Sequence, residues 1–206
     1  MDLTIGFLPK KYFSKSPSSH GGYPFFVSER LLYSLNIGEM YYPEIPDKQL
    51  IAFTESLAPY PLYYLFELND EDDYKTVQQM LVENDIIFET LYTSPKSTFL
   101  LTTIHDSEEL AHLIPTLIWQ HNYNMSTFWS PHKHAFTIEK KTWNYGKYVE
   151  LNDTVCINFN QPTTVFWLGH DFHGTDIYSN EGKFTKLGDV QQLLPTFIKT
   201  EIIEFE

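Results

Sequence analysis

Residues 60–84 read "YPLYYLFELNDEDDYKTVQQMLVEN", and within them the apolar period changes from that of a strand to that of a helix. The aromatic-rich "YPLYYLFEL" predicts a strand, and the acids of "NDEDD" suit the positive end of a helix dipole. Tyr74, Val77 and Leu81 then recur at i, i+3 and i+7, one face of a helix. Downstream, "DIIFETLYT" and "STFLLTTIH" read as strands around the turn "SPK". "HDSEELAHLIPTLIWQHN" opens with Asp106 and Glu109 at capping-box spacing, and Leu110, Leu113, Ile114, Leu117 and Ile118 keep the helical period. Pro115 is expected to kink that helix. "YNMSTFW" closes as a strand. The order β-α-β-β-α-β predicts a ferredoxin-like unit over 58–131, with both helices on one face of an antiparallel sheet. Val77, Leu81, Leu113 and Leu117 should then be buried together.

On the N-terminal side, residues 1–57 read as a loop and a short helix. "SKSPSSHGGYP" is rich in turn formers. "SERLLYSLNIG" offers Ser28 as a cap, Leu31, Leu32 and Leu35 as a face and Gly38 as a stop. On the C-terminal side, residues 132–206 form a strand-rich α+β unit that can share a domain with 58–131. Its strands are "AFTIEKK", "KYVELN", "TVCINFN", "TTVFWLG" and "TDIYS", and "DVQQLLPTFIKT" is its closing helix. "HLIPTLI" (112–118) and "QLLPTFI" (192–198) echo one another. A duplicated strand-strand-helix unit and a coincidence between amphipathic helices both remain open readings. The fold class is therefore α+β with antiparallel sheets: a ferredoxin-like unit followed by a strand-rich unit ending in a helix.

A chain of 206 residues with 42% hydrophobic content can bury a core without disulfide staples. Its single cysteine, Cys156, cannot close an internal disulfide, no stretch is apolar for the length of a membrane span, and the N-terminus does not read as a secretory signal. A soluble cytoplasmic protein is expected. The net charge of −13 is concentrated: residues 61–125 carry two Lys/Arg against eleven Asp/Glu. Arg30 is the only arginine. Nucleic acid and anionic membranes both call for clustered basic residues and are set aside as partners. A strongly negative segment attracts a basic protein, and it also simply solubilises.

The leading expectation is a non-catalytic protein that binds another, basic protein, in the manner of an inhibitor or immunity protein. Glu67, Asp70, Asp72, Asp73 and Glu83 are its candidate contacts. Phe172 is added because an aromatic at a loop tip often marks a contact surface. The alternative is a metal-dependent hydrolase. "SPHKH" supplies His132 and His134, "GHDFH" supplies His170 and His173, and zinc takes three or four such ligands. Asp171, Asp176 or Glu181 would then serve as base or as partner to a ligating imidazole. No cofactor is called for outside that alternative. A third option is a structural or small-ligand-binding role for the tyrosines and tryptophans. "NDEDD" lacks the spacing of a calcium loop, and there is no phosphate loop, dinucleotide fingerprint or nucleophile elbow. Cys156, sharing a strand face with Asn158 and Asn160, reads as a half-buried strand residue. "FWLGHDFHG" (166–174) reads as a hairpin tip with glycines at both ends.

Overall fold

The computed structural model describes residues 1–9, 23–28, 30–122, 126–145, 147–168 and 174–205. The protein is a mixed α+β molecule with mostly antiparallel sheets. Its strands are β1 (Asp2–Phe7), β2 (Phe25–Val27), β3 (Tyr33–Gly38), β4 (Leu62–Leu68), β5 (Ile87–Thr93) and β6 (Thr98–Ile104). They continue as β7 (Thr127–Ser130), β8 (Phe136–Tyr145), β9 (Tyr148–Ile157), β10 (Thr164–Leu168), β11 (Thr175–Ser179) and β12 (Lys199–Ile202). The helices are α1 (Asp47–Leu57), α2 (Glu71–Glu83), α3 (Ser107–Asn122) and α4 (Leu187–Leu193).

Nine strands form one sheet in the order β12-β1-β3-β11-β10-β7-β4-β6-β5, and β2-β9-β8 form a second. Strand alternation divides the side chains of the large sheet between two cores. On β4, Tyr64, Phe66 and Leu68 join the first core, which takes in Leu50 and Phe53 of α1, Val77 and Leu81 of α2, Leu113 and Leu117 of α3, and Val190 of α4. Leu65, one position out of phase, joins the second core with Phe99, Leu101, Phe128, Val165 and Trp167. That core is closed by Phe25, Phe136, Val155 and Ile157 of the small sheet. The result is three layers: helices, nine strands, three strands. Trp129 and Phe166 stack at 3.7 Å between ring centroids on the helix side, fixing the β7–β10 seam.

The stretch 60–129 folds as its periodicity predicts in order and type. Asp70 caps α2 by accepting the Asp73 N–H at 2.7 Å. At the start of α3, Asp106 accepts the N–H groups of Glu108 and Glu109, and the Glu109 carboxylate reaches back to the His105 N–H at 2.6 Å. Its four strands lie adjacent, β7-β4-β6-β5, all antiparallel, and the four expected residues share the helix-side core. α3 runs through Pro115, whereas α4 ends before Pro195, so the two copies of the heptapeptide echo sit in different structures.

The N-terminal third departs from expectation. Ser28–Gly38 was expected as a helix, yet Tyr33–Gly38 is β3, a strand between β1 and β11, and the helix of this segment is α1. The leucines that suggest a helical face are divided: Leu35 enters the helix-side core, whereas Leu31 packs at the edge of the other. Residues 2–7, expected as loop, form β1. The sheets are not antiparallel throughout, because β1 pairs β12 and β2 pairs β9 in parallel. "KYVELN" and "TVCINFN" are not two strands; a single strand, β9, runs through both. Strands from 1–57, 58–131 and 132–206 all enter the large sheet. Gly174 immediately precedes β11 at φ 109°, where a Cβ would lie 2.0 Å from the Ile37 carbonyl oxygen, so glycine is required there.

Candidate functional site

The acidic candidates divide between the two ends of α2. Asp70, Asp72 and Asp73 occupy its N-terminal turn, while Glu83 lies in its last turn, about 18 Å along the axis at 1.5 Å per residue. Glu83 is exposed and accepts a hydrogen bond from Gln79 at 2.7 Å. Glu67 stands near the C-terminal end of β4, on the face opposite the helices. Burial pushes its carboxyl above the ordinary range, against the lowering effect of the Ser126 and Ser97 hydroxyls. Burial, with the neighbouring Asp70 and Asp72 charges, also raises Asp73.

Of the carboxylates at this end of the helix, Asp70 and Glu71 border a groove of about 430 Å³ between residues 68–74 and the turn 93–98, and Asp72 and Asp73 lie beside it in the same turn. Two ammonium groups stand close by, and both have acidic partners. Lys75 holds Glu71 at 2.7 Å, which keeps the Glu71 carboxyl below its usual range, and Lys96 pairs with Glu150 of β9. Asp72 is exposed, and the groove beside it is open, with polar and apolar residues on both of its walls. Such a surface can receive a cationic group without first breaking a buried ion pair.

The histidine candidates are placed differently. His132 and His134 follow β7, with ring centroids 5.6 Å apart. Ser130 donates to the Thr164 carbonyl at 2.6 Å and accepts the His132 N–H at 3.0 Å, which fixes the link between β7 and β8. His132 Nε2 lies 3.3 Å from Glu181 Oε2, and Thr164 donates its hydroxyl to the same carboxylate. His134 Nε2 lies 3.3 Å from Thr163 Oγ1. Burial works against ionisation of Glu181, but Thr164, the Lys183 ammonium and His132 together hold its carboxyl below the usual range. Lys183, its ammonium donating to the Leu57 carbonyl at 3.1 Å, is lowered by burial.

His170, Phe172 and His173, with Asp171, lie outside the described residues. Their flanks are informative. Leu168 pairs with Thr175 at one end of the β10–β11 hairpin, while Thr164 pairs with Ser179 at the other. His132 sits by Thr164, at the Ser179 end of this hairpin. Glu181, expected as a base or ligand partner, is the partner of His132. Asp176, expected in the same role, instead lies across the sheet from Asn36, whose amide donates to it at 2.7 Å, and accepts the Tyr178 hydroxyl at 2.8 Å. Among the described residues no group of three or more His, Cys, Asp or Glu is placed to hold a metal ion. Cys156 is buried on β9, and burial pushes its thiol up to about 11.

One exposed feature was absent from the sequence reading. Tyr148, Val149 and Leu151 of β9 stand in solvent, at 78, 67 and 58% exposure. The signal was present: Val149, Leu151, Val155 and Ile157 keep one period of two, and it was obscured by dividing the strand near Asp153.

No helix among the described residues is long and apolar enough to cross a membrane. No family model, characterised protein or solved structure matches the chain.

Proposed function

We propose that this protein is a non-catalytic binder of another, basic protein, acting in the cytoplasm in the manner of an inhibitor or immunity protein. Residues 58–131 serve it as a ferredoxin-like scaffold. The observation that carries this reading is the groove at the N-terminus of α2. Asp70 and Glu71 border it, Asp72 and Asp73 follow in the same first turn of the helix, and the nearby Lys75 and Lys96 are already paired with Glu71 and Glu150. A cationic partner gains Coulomb energy there without displacing a protein cation, and the field of residues 61–125 accelerates its approach. Glu83, at the far end of the helix, contributes to that field rather than to contact.

The test compares retention of proteins from the native cell by the wild type and by a variant with Asp70→Asn, Asp72→Asn and Asp73→Asn. Asparagine keeps the helix cap, so the fold survives the change. The wild type should retain a basic protein that is released as salt rises, the triple variant should retain little of it, and Glu83→Gln should behave as wild type. Equal retention by the triple variant would assign the carboxylates to solubility alone.

A further inference from the structure

Among the described residues the two sheets end in β12, β5, β2 and β8, and three of these outer strands are guarded. β12 is four residues long and carries Lys199 and Glu201, and β2 is only three residues long. β8 is longer but bears Glu139, Lys140 and Lys141. Shortness and charge are the usual means by which an open edge avoids pairing with another chain. β5 has neither. It reads "IFETLYT", seven residues without lysine, proline or glycine, and its one charge, Glu89, is paired with Lys133 at 2.8 Å. Ile87–Thr90 lie in unbroken register against β6, and the shift comes only between Thr90 and Tyr92. In an antiparallel strand every second residue turns its N–H and C=O away from the neighbouring strand. On β5 those outward groups meet no further strand among the described residues, and Ile87 beside them is 60% exposed.

Charge decides what adds to that edge. Glu83 and Asp85 stand exposed where α2 turns into β5. At the other end of the strand, Thr93 lines the groove that Asp70 and Glu71 border. Residues 61–125, which contain the whole of β5, carry two Lys/Arg against eleven Asp/Glu. A second copy pairing β5 with β5 would set two such segments against each other, and any acidic segment is repelled in the same way. An extended segment bearing lysine or arginine is attracted at both ends of the strand. Its main chain supplies affinity through ladder hydrogen bonds, and its alternate side chains supply the selection for charge.

We propose that the partner adds an extended basic segment to the outer edge of β5, as a tenth strand that reaches the groove beside α2. This rests on the reading of the partner as a basic protein, and it specifies the main-chain contact by which that protein is held.

Backbone amide exchange of the full chain, with synthetic octapeptides at millimolar concentration, tests it. The probe peptide alternates lysine with valine. One control has glutamate in place of lysine; the other is the lysine peptide N-methylated along its backbone, which keeps the charge but has no N–H to give. The lysine peptide should slow exchange within β5, and the glutamate peptide should leave it unchanged. The methylated peptide should bind at least about tenfold more weakly, as the loss of one or two ladder hydrogen bonds requires. Ile87→Lys, at a side chain already in solvent, should weaken the lysine peptide without lowering the melting temperature. The methylated control decides the matter if that variant fails to fold. Equal binding of the methylated peptide, or protection confined to residues 68–74 and 93–98, would overturn strand addition and leave the acidic groove as the cation site. Absence of any response to the lysine peptide would overturn it as well, while retention of a basic protein by the wild type decides the reading of function separately.

Discussion

At the scale of single residues, Asp176 is the clearest case of function-like chemistry serving the fold. It is 4% exposed on β11, its two carboxylate oxygens taken by Asn36 and Tyr178. Burial is the largest influence on its carboxyl and raises it above 3.8, outweighing the lowering effect of the Asn36, Tyr178 and Tyr23 hydrogen bonds. The folded protein therefore holds the Asp176 proton more tightly than the unfolded chain does. Stability from this group rises as pH falls from above the folded-state value to below the unfolded one, and the ionised form is a cost at neutral pH. Relative to Asp176→Asn, the wild type should gain stability across that acidic interval, at about 1.4 kcal/mol for each unit of difference. Urea titrations of both proteins over that interval measure it. A wild-type advantage that grows with rising pH would show the three donors outweighing burial.

At the scale of elements, legibility followed locality. α2 and α3 declare themselves by caps within four residues of their starts and by apolar faces with a helical period, so both were readable from the sequence. β3 was not, because Leu31, Leu32 and Leu35 also fit a helix, and what makes 33–38 a strand lies elsewhere. Its ladder partners are β1 and, through Asn36 opposite Asp176, a strand 140 residues on. The acidic half of the candidate site was legible as composition, but its division between the two ends of α2 needed the helix itself. The exposure of Val149 and Leu151 on β9 was illegible for a different reason. Sequence shows that Val149 and Leu151 share a face with Val155, but not where the supporting sheet stops. The cap of α2 gives a prediction at this scale. Asp70→Ala should cost about 1 kcal/mol, and Asp70→Asn close to nothing, in chemical denaturation. Equal losses would mean that the Asp70 charge, rather than its bond to the Asp73 N–H, holds the helix start.

At the scale of the whole molecule, the question is whether 58–131 can stand alone. Its four strands and two helices form a complete antiparallel unit on paper. In the protein, however, the unit sits inside a larger sheet: the outer edge of β7 is paired with β10 through Trp129–Phe166 and Phe128–Trp167. Its second face is equally committed. Leu65, Phe99, Leu101 and Phe128 are at most 2% exposed, and Phe25, Phe136, Val155 and Ile157 from outside the unit pack in the same core. Excision would bare those four side chains and open an edge strand, at roughly 1.5–3 kcal/mol for each large apolar side chain returned to water. Several such losses match or exceed the stability of an ordinary domain, which is of the order of 5–15 kcal/mol. Residues 58–131 expressed alone should therefore be aggregated or molten, with helical far-ultraviolet dichroism but little near-ultraviolet signal from Trp119 and Trp129. The full chain should unfold in one transition seen alike by both probes. A soluble fragment with dispersed amide resonances would show instead that the α2–α3 face alone carries enough burial, and that the remaining strands were added to a unit already stable.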